Sequence, residues 1–103
     1  MSPVSMNPAD WLAQITVSNW KSINKKGLIA EFTLTLGDVL VIQRCRYFEG
    51  KAGFFVRAPQ WEGEDGTFRN YVEFTSSEHY QAFQREALKA VNRYLEAQRH
   101  GLL

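Results

Sequence analysis

The spacing of the apolar residues changes near residue 75, and this change constrains the fold more than any other feature of the chain. Upstream, the clearest alternating run places apolar residues at every second position: Leu28, Ala30, Phe32, Leu34 and Leu36. That alternation is typical of a half-buried strand. From Ser76 to about His100 there is no glycine or proline, and apolar residues recur every three or four positions. This spacing predicts an amphipathic helix with one face on a sheet.

Turn residues divide the first three quarters of the chain into predicted strands. The expected strands are Gln14–Lys21, Leu28–Leu36, Val39–Phe48, Phe54–Ala58 and Thr67–Phe74. Gly37-Asp38 is predicted to form a hairpin turn. Pro59 is predicted to end the fourth strand, because proline cannot donate to a ladder.

Strict alternation assigns the faces of the third strand. One face would carry Val39, Val41, Gln43 and Cys45, and the other Leu40, Ile42, Arg44 and Arg46. Both faces begin with apolar residues, so the first half of the strand is expected to be covered on both sides. A capping box is predicted at Thr75-Ser76-Ser77-Glu78, and Gly101 is a natural end for the helix.

The element order predicts an α+β fold. We expect an antiparallel β-meander of about four to five strands, with one long C-terminal helix packed on it. A chain of 103 residues is expected to form one domain, residues 1–103, with about residues 1–10 as a flexible tail. We expect Trp11 to anchor the N-terminal segment. Because a small sheet has edge strands, we also expect the sheet to be extended by dimerisation.

Composition restricts the compartment and the partners. The net charge of +1 means that phosphate binding would need a local cluster of cations rather than a global field. The single cysteine, Cys45, excludes an internal disulfide and lies in an apolar run, which predicts a buried thiol. We find no apolar segment long enough for a membrane span and no signal-peptide pattern. We therefore expect a cytoplasmic protein with no membrane partner.

No group of residues in the sequence indicates catalysis, so we expect a protein that is not an enzyme and has no cofactor. His79 and His100 lie about six turns apart on the predicted helix, whereas a metal site needs three or four converging ligands. The glycines lie at turns and not in a phosphate-binding loop. The carboxylates of Glu62, Glu64 and Asp65 either hold a cation or form an ordinary solvated turn.

Two features of the sequence are compatible with a binding surface. Arg85, Lys89 and Arg93 form one stripe on the predicted helix. Such a row suits phosphate contacts, but it is also compatible with a solvated face near the helix C-terminus. Trp61 lies in a polar loop, where it either stacks on a base, contacts a protein or folds back over the sheet.

Two ordered motifs resemble the SpoVG family of septation and regulatory proteins. They are Gly53-Phe54-Phe55-Val56-Arg57-Ala58-Pro59 and Asp65-Gly66-x-Phe68-Arg69-Asn70. Together with the strand around Phe32-Thr33-Leu34 and the closing helix, the similarity extends from about Ile15 to Leu95. The resemblance therefore covers roughly four-fifths of the chain.

The resemblance implies a single SpoVG-like domain, a homodimer built through the sheet, and sequence-selective binding of DNA and RNA in bacterial regulation. In the family, binding is associated with basic residues after the proline and with the helix. Here Gln60, Trp61 and Glu62 follow Pro59 instead of serine and basic residues, and Asn70 replaces a common aspartate.

On this resemblance we expect a nucleic-acid interface formed by Arg69, Arg85, Lys89, Arg93 and Trp61. The acidic loop from Glu62 to Asp65 would repel phosphate. The alternative is a protein–protein interaction module on the same fold that does not bind nucleic acid.

Overall fold

The computed structural model describes residues 14–37 and 39–101. Its elements are β1 (Ile15–Lys25), β2 (Leu28–Leu36), β3 (Leu40–Gly50), β4 (Gly53–Arg57), β5 (Gln60–Glu62), β6 (Phe68–Asn70) and α1 (Ser77–Arg99). Strands β1 to β4 form an antiparallel meander in chain order, and β5 pairs with β6 in a separate ribbon. The predicted α+β meander with a long C-terminal helix is confirmed. The expected N-terminal tail, Trp11 and Asp38 lie outside the described residues.

Short turns connect the strands of the meander. Lys26 and Gly27 have φ angles of 53° and 85°, the paired left-handed conformation that a type I′ hairpin turn requires. Gly37 has a φ of 56°, and the N–H of Val39 donates to the Leu36 carbonyl at 3.2 Å. Because each turn is tight, consecutive strands become direct antiparallel neighbours.

The helix packs across one side of the meander, which we call the core face; the other side is the open face. On α1 the buried residues are Phe83, Ala87, Ala90 and Val91. They meet a cluster from the sheet that consists of Ile15, Phe32, Leu34, Leu36, Ile42, Cys45, Tyr47 and Val56. Fully burying a large apolar side chain contributes about 1.5–3 kcal/mol, so this layer supplies most of the stability of the domain.

The pairing of β2 with its two neighbours has four register irregularities, and two of them are β-bulges that lie on either side of the middle of β2 and interrupt the alternation. In β1, Asn19 and Trp20 together oppose Phe32, and in β3, Gln43 and Arg44 together oppose Thr33. Asn19 and Arg44 have left-handed φ angles of 53° and 59°. Such a conformation costs a non-glycine residue about 1 kcal/mol or more. Each bulge shifts the phase of its strand by one residue.

The bulge in β3 explains why the prediction from strict alternation placed residues of this strand on the wrong faces. Ile42 and Cys45 both lie on the core face, because the extra residue falls between them. Val41 lies on the open face opposite Thr35. The expected two-sided cover of the first half of this strand is also wrong within a single chain, since Val39, Leu40 and Val41 are 49%, 44% and 56% exposed.

The predicted fifth strand, Thr67–Phe74, is wrong in both extent and pairing. Only Phe68–Asn70 is extended, and it pairs with β5 instead of the meander. Pro59 interrupts the chain after β4, and its carbonyl accepts from the N–H of Tyr71 at 3.1 Å. This bond closes the ribbon, and the following residues Val72 and Phe74 return to pack against the core.

The helix begins and ends close to the predicted positions, but its N-terminal cap differs by one residue. Ser76 is the N-cap, and its hydroxyl accepts from the N–H of His79 at 3.1 Å. Thr75 instead contacts the imidazole Nδ1 of His79 at 3.2 Å. At the other end, Gly101 has a φ of 69°, which is the left-handed stop that glycine provides.

Candidate nucleic-acid interface

The β5–β6 ribbon brings Trp61 and Arg69 into contact. The two residues are direct cross-strand partners, and the guanidinium carbon of Arg69 lies 5.4 Å from the centroid of the Trp61 ring. The Trp61 side chain is 41% exposed on a ribbon separate from the meander, so it does not fold back over the sheet. An exposed cation–π pair contributes about 0.5–1 kcal/mol, which favours contact between the two side chains.

Hydrogen bonds between Asp65 and Thr67 hold the turn of the ribbon. The carboxylate of Asp65 accepts from the Thr67 hydroxyl at 2.6 Å and from the Thr67 N–H at 3.1 Å. These hydrogen bonds hold the pKa of Asp65 below its ordinary value. In the part of the chain that the structure describes, no three His, Cys, Asp or Glu side chains converge to hold a metal ion. The loop therefore forms a solvated turn that places negative charge near Trp61.

The helix stripe divides into three different environments. The guanidinium of Arg93 donates to the Ile15 carbonyl at 3.2 Å, which ties α1 to β1. The ammonium of Lys89 lies 3.0 Å from a carboxylate oxygen of Glu86. That pair is solvent-exposed and contributes at most about 1 kcal/mol, so a phosphate can compete for the lysine. Arg85 is exposed. The sequence indicated one uniform stripe and gave no signal that Arg93 is a structural anchor.

A cleft of about 580 Å³ separates the ribbon from the start of the helix. Its lining residues include Arg57, Gln60, Asn70 and Tyr80, but none of the five predicted site residues. The side-chain amide of Gln60 donates to the Asn70 side-chain oxygen at 2.6 Å and fixes the base of the ribbon. The Trp61–Arg69 pair and the helix stripe are therefore two separate surfaces.

Gln84 covers part of the outer edge of β4. Its side-chain oxygen accepts from the Val56 N–H at 3.0 Å, and its amide nitrogen donates to the Val56 carbonyl. A neighbouring strand would make the same two bonds. Gln84 therefore protects this edge of the meander from pairing with another chain at Val56.

The register reveals a row of charged residues across the open face that the sequence alone did not assemble. Lys21, Glu31, Arg46 and Arg57 are successive cross-strand partners on β1, β2, β3 and β4. The sequence had indicated that Arg44 and Arg46 share a face, and that pattern was the available signal. Lys21 and Arg57 could be added only once the strand pairing was known.

Cys45 is buried, as the sequence predicted. Its thiol donates to the Ile42 carbonyl at 3.5 Å, and burial raises the pKa of Cys45 from 9.0 to about 12. A nucleophilic cysteine must form a thiolate, which this environment opposes at neutral pH.

Comparison with known proteins agrees with the resemblance found in the sequence. No family model matches the chain. A protein named "Putative septation protein SpoVG" from Anaeromyxobacter sp. (strain Fw109-5) is 29% identical over 73 residues, which is 71% of this chain and 75% of the relative. A protein of the same name from Anaeromyxobacter sp. (strain K) is 28% identical over 74 residues, which is 72% of this chain and 73% of the relative. The resemblance to the SpoVG family is confirmed.

These relatives are named as septation proteins, and that name is not the name of an enzyme. Within residues 14–37 and 39–101, no helix combines the length and the hydropathy that a membrane crossing requires.

Proposed function

We propose that this protein is a small, non-enzymatic regulatory protein of SpoVG type that binds DNA or RNA in the bacterial cytoplasm. In this proposal Arg69, Arg85, Lys89 and Arg93 contact backbone phosphates, and Trp61 stacks on a base. The Trp61–Arg69 pair carries the proposal. An exposed ring beside an exposed guanidinium is the combination that sequence-tolerant binding of single strands uses.

Charge on the ribbon limits the expected affinity. Glu62 neighbours Trp61 and pairs across the ribbon with Phe68, so the acidic loop opposes the phosphates that Arg69 attracts. Each phosphate contact adds about 0.7–0.9 to the slope of log affinity against log salt. Four cations therefore predict a slope of about −3, which is moderate for a nucleic-acid-binding protein.

The test is a salt titration of fluorescently labelled single- and double-stranded oligonucleotides, followed by anisotropy. We expect binding by the wild type that weakens with salt, and weaker binding by Trp61→Ala and Arg69→Ala. Glu62→Gln is the matched control on the same ribbon, and it should bind more tightly because it removes a repulsive charge. Unchanged affinity in both the Trp61 and Arg69 variants would reject the ribbon as the interface.

We further propose that the protein is a homodimer. The support is the contiguous exposed segment Val39, Leu40 and Val41 at the start of β3, because small domains commonly gain stability by covering such apolar surface. Light scattering during size-exclusion chromatography should give twice the chain mass for the wild type and a monomer for Val41→Lys. A monomeric wild type at micromolar concentration would reject the dimer.

One observation favours a second candidate function, a protein-interaction module. Phe68 in the ribbon and Tyr71 directly after it are 62% and 68% exposed, and aromatic residues are enriched at protein interfaces. This candidate predicts no nucleic-acid binding at physiological salt and a protein partner that Trp61→Ala no longer binds. Nucleic-acid binding that falls in Trp61→Ala would favour the first candidate.

A further inference from the structure

The open face of the meander concentrates positive charge that the proposed interface does not use. In the row across its four strands, Lys21, Arg46 and Arg57 provide three cations against the one carboxylate of Glu31. Arg46 lies 3.3 Å from Glu31, which leaves two cations in excess. The chain as a whole has a net charge of only +1, so this face is a local positive region.

The two bulges add a depression beside this row. Its volume is about 280 Å³, and it is lined in part by Asn19, Lys21, Thr33 and Arg44. Thr33 accepts from the side-chain amide of Asn19 at 3.4 Å. Arg44 lines the depression from a left-handed backbone position with a φ of 59°. Glycine would fit that position with less strain, so the arginine side chain is not explained by the needs of the backbone.

Beside the other end of the row lies a planar aromatic group. The rings of Phe48 and Phe55 stack with centroids 5.2 Å apart, and the guanidinium of Arg57 lies 4.7 Å from the centroid of Phe48. Phe48 and Phe55 are cross-strand partners two residues along from Arg46 and Arg57, so they share the open face. Stacked rings under an arginine provide a flat surface for a nucleobase.

We propose that the open face is a second contact surface for single-stranded nucleic acid. Lys21, Arg44 and Arg46 bind backbone phosphates, and Arg57 on the Phe48–Phe55 stack contacts a base. This inference rests on the proposed function but assigns it a surface separate from the ribbon and the helix. The flat aromatic group favours a single strand, whose bases are free to stack. A second copy of this chain is disfavoured as the occupant of this charged part of the open face, which is separate from the exposed segment Val39 to Val41, because two such charged surfaces would place like charges against each other.

The decisive variant is Arg44→Gly, because it separates binding from folding. Removing the side chain deletes a cation, and glycine relieves the left-handed strain. We therefore expect an unfolding midpoint equal to or higher than that of the wild type. We also expect roughly five- to tenfold weaker binding of a labelled single strand at low salt, with the salt slope reduced by about 0.7.

Two controls accompany this variant in the same anisotropy assay. Asn24→Gly relieves the same kind of strain at another left-handed position of β1, with a φ of 55°, and Asn24 does not line the depression. The change leaves the charge unaltered, so its affinity and salt slope should equal those of the wild type. Arg44→Lys keeps the cation and should retain most of the affinity. Wild-type affinity and slope in Arg44→Gly would overturn the inference, and so would an equal loss in Asn24→Gly.

Failure of this inference is distinguishable from failure of the proposed function. Binding that falls in Trp61→Ala but is unchanged in Arg44→Gly rejects the open face and leaves the ribbon interface standing. Absence of wild-type binding to any oligonucleotide at low salt rejects both.

Discussion

The meander and the ribbon are both antiparallel sheets, but they are stabilised in different ways. The meander has four strands and a helix over one face, with Phe32 and Phe83 each only 1% exposed. The ribbon has two strands of three residues, and all of its side chains except Gln60 are exposed or nearly so. An isolated two-stranded hairpin is marginally stable in water. Burial therefore stabilises the meander, whereas pairs such as Trp61–Arg69 and Asp65–Thr67 hold the ribbon.

This difference separates stability from binding. Residues of the core can be changed only at the cost of the fold, but those of the ribbon are free to contact a partner. The predictions that follow compare the two regions, from the largest expected effect to the smallest.

Two phenylalanines test the comparison most strongly. Phe32→Ala should destabilise the protein by about 3–5 kcal/mol, because it removes a fully buried ring and leaves a cavity. Phe68→Ala, at a ribbon position that is 62% exposed, should change stability by no more than about 0.5 kcal/mol. Urea unfolding measures both free energies. Similar losses in the two variants would contradict the proposed division between core and ribbon.

The helix stripe offers a second pair of variants. Arg93→Ala should cost about 1–2 kcal/mol, because it leaves the part-buried carbonyl of Ile15 without its side-chain donor. Lys89→Ala removes only an exposed ion pair and should cost less than about 1 kcal/mol. Urea unfolding and the anisotropy assay should be applied to both. Equal free energies of unfolding for Arg93→Ala and Lys89→Ala would show that the hydrogen bond from Arg93 to the Ile15 carbonyl contributes nothing to stability.

Alkaline pH should weaken the meander through Cys45. The unfolded thiol loses its proton near pH 9.0, but the folded thiol keeps it until about pH 12. Between these values the unfolded state binds fewer protons than the folded state, so stability falls as the pH rises. Urea midpoints from pH 7 upward should fall more steeply for the wild type than for Cys45→Ala. If the urea midpoints of the wild type and of Cys45→Ala fall equally with pH, burial does not raise the pKa of Cys45.

Low pH should weaken the hydrogen bonds between Asp65 and Thr67 in the turn of the ribbon. This is the smallest of the four predicted effects. Hydrogen bonds from Thr67 lower the pKa of Asp65 below 3.8, so the contact is complete above that pH and is lost as the pH falls through the folded pKa. The NMR shift of the Thr67 amide should titrate with a midpoint below 3.8, and the transition should disappear in Asp65→Asn. A wild-type midpoint at or above 3.8 would show that the hydrogen bonds do not persist in solution.

The parts of the fold that could be predicted are those where local sequence and tertiary structure agree. The alternation of β2 and the three- and four-residue spacing of α1 both match the face that is buried. The end of the fourth strand at Pro59 follows from backbone chemistry that belongs to proline alone.

The bulges could not be predicted, because neither Asn19 nor Arg44 marks a bulge as a glycine would. Each strand therefore seemed to alternate without interruption, and the faces of β3 were assigned wrongly. The bulge in β1 allows the ring of Trp20 to stack between Phe32 and Tyr94, at centroid distances of 5.5 and 5.1 Å. Packing on the helix is thus a tertiary reason for the bulge, and it is not visible in a local window.

The candidate site was predictable only in part for the same reason. Trp61 and Arg69 were each singled out by residue type, but their contact depends on a ribbon that the predicted fifth strand excluded. The role of Arg93 depends on Ile15, which lies 78 positions away in the sequence. The charged row on the open face requires the register of all four strands of the meander.

The most direct test of the central claim is the anisotropy of a labelled single-stranded oligonucleotide as a function of salt, for the wild type, Trp61→Ala and Arg69→Ala. If the ribbon is the interface, the wild type binds with an affinity that falls as salt rises, and both variants bind more weakly with their unfolding midpoints unchanged. Wild-type affinity in both variants, or no binding by the wild type at low salt, would contradict the claim.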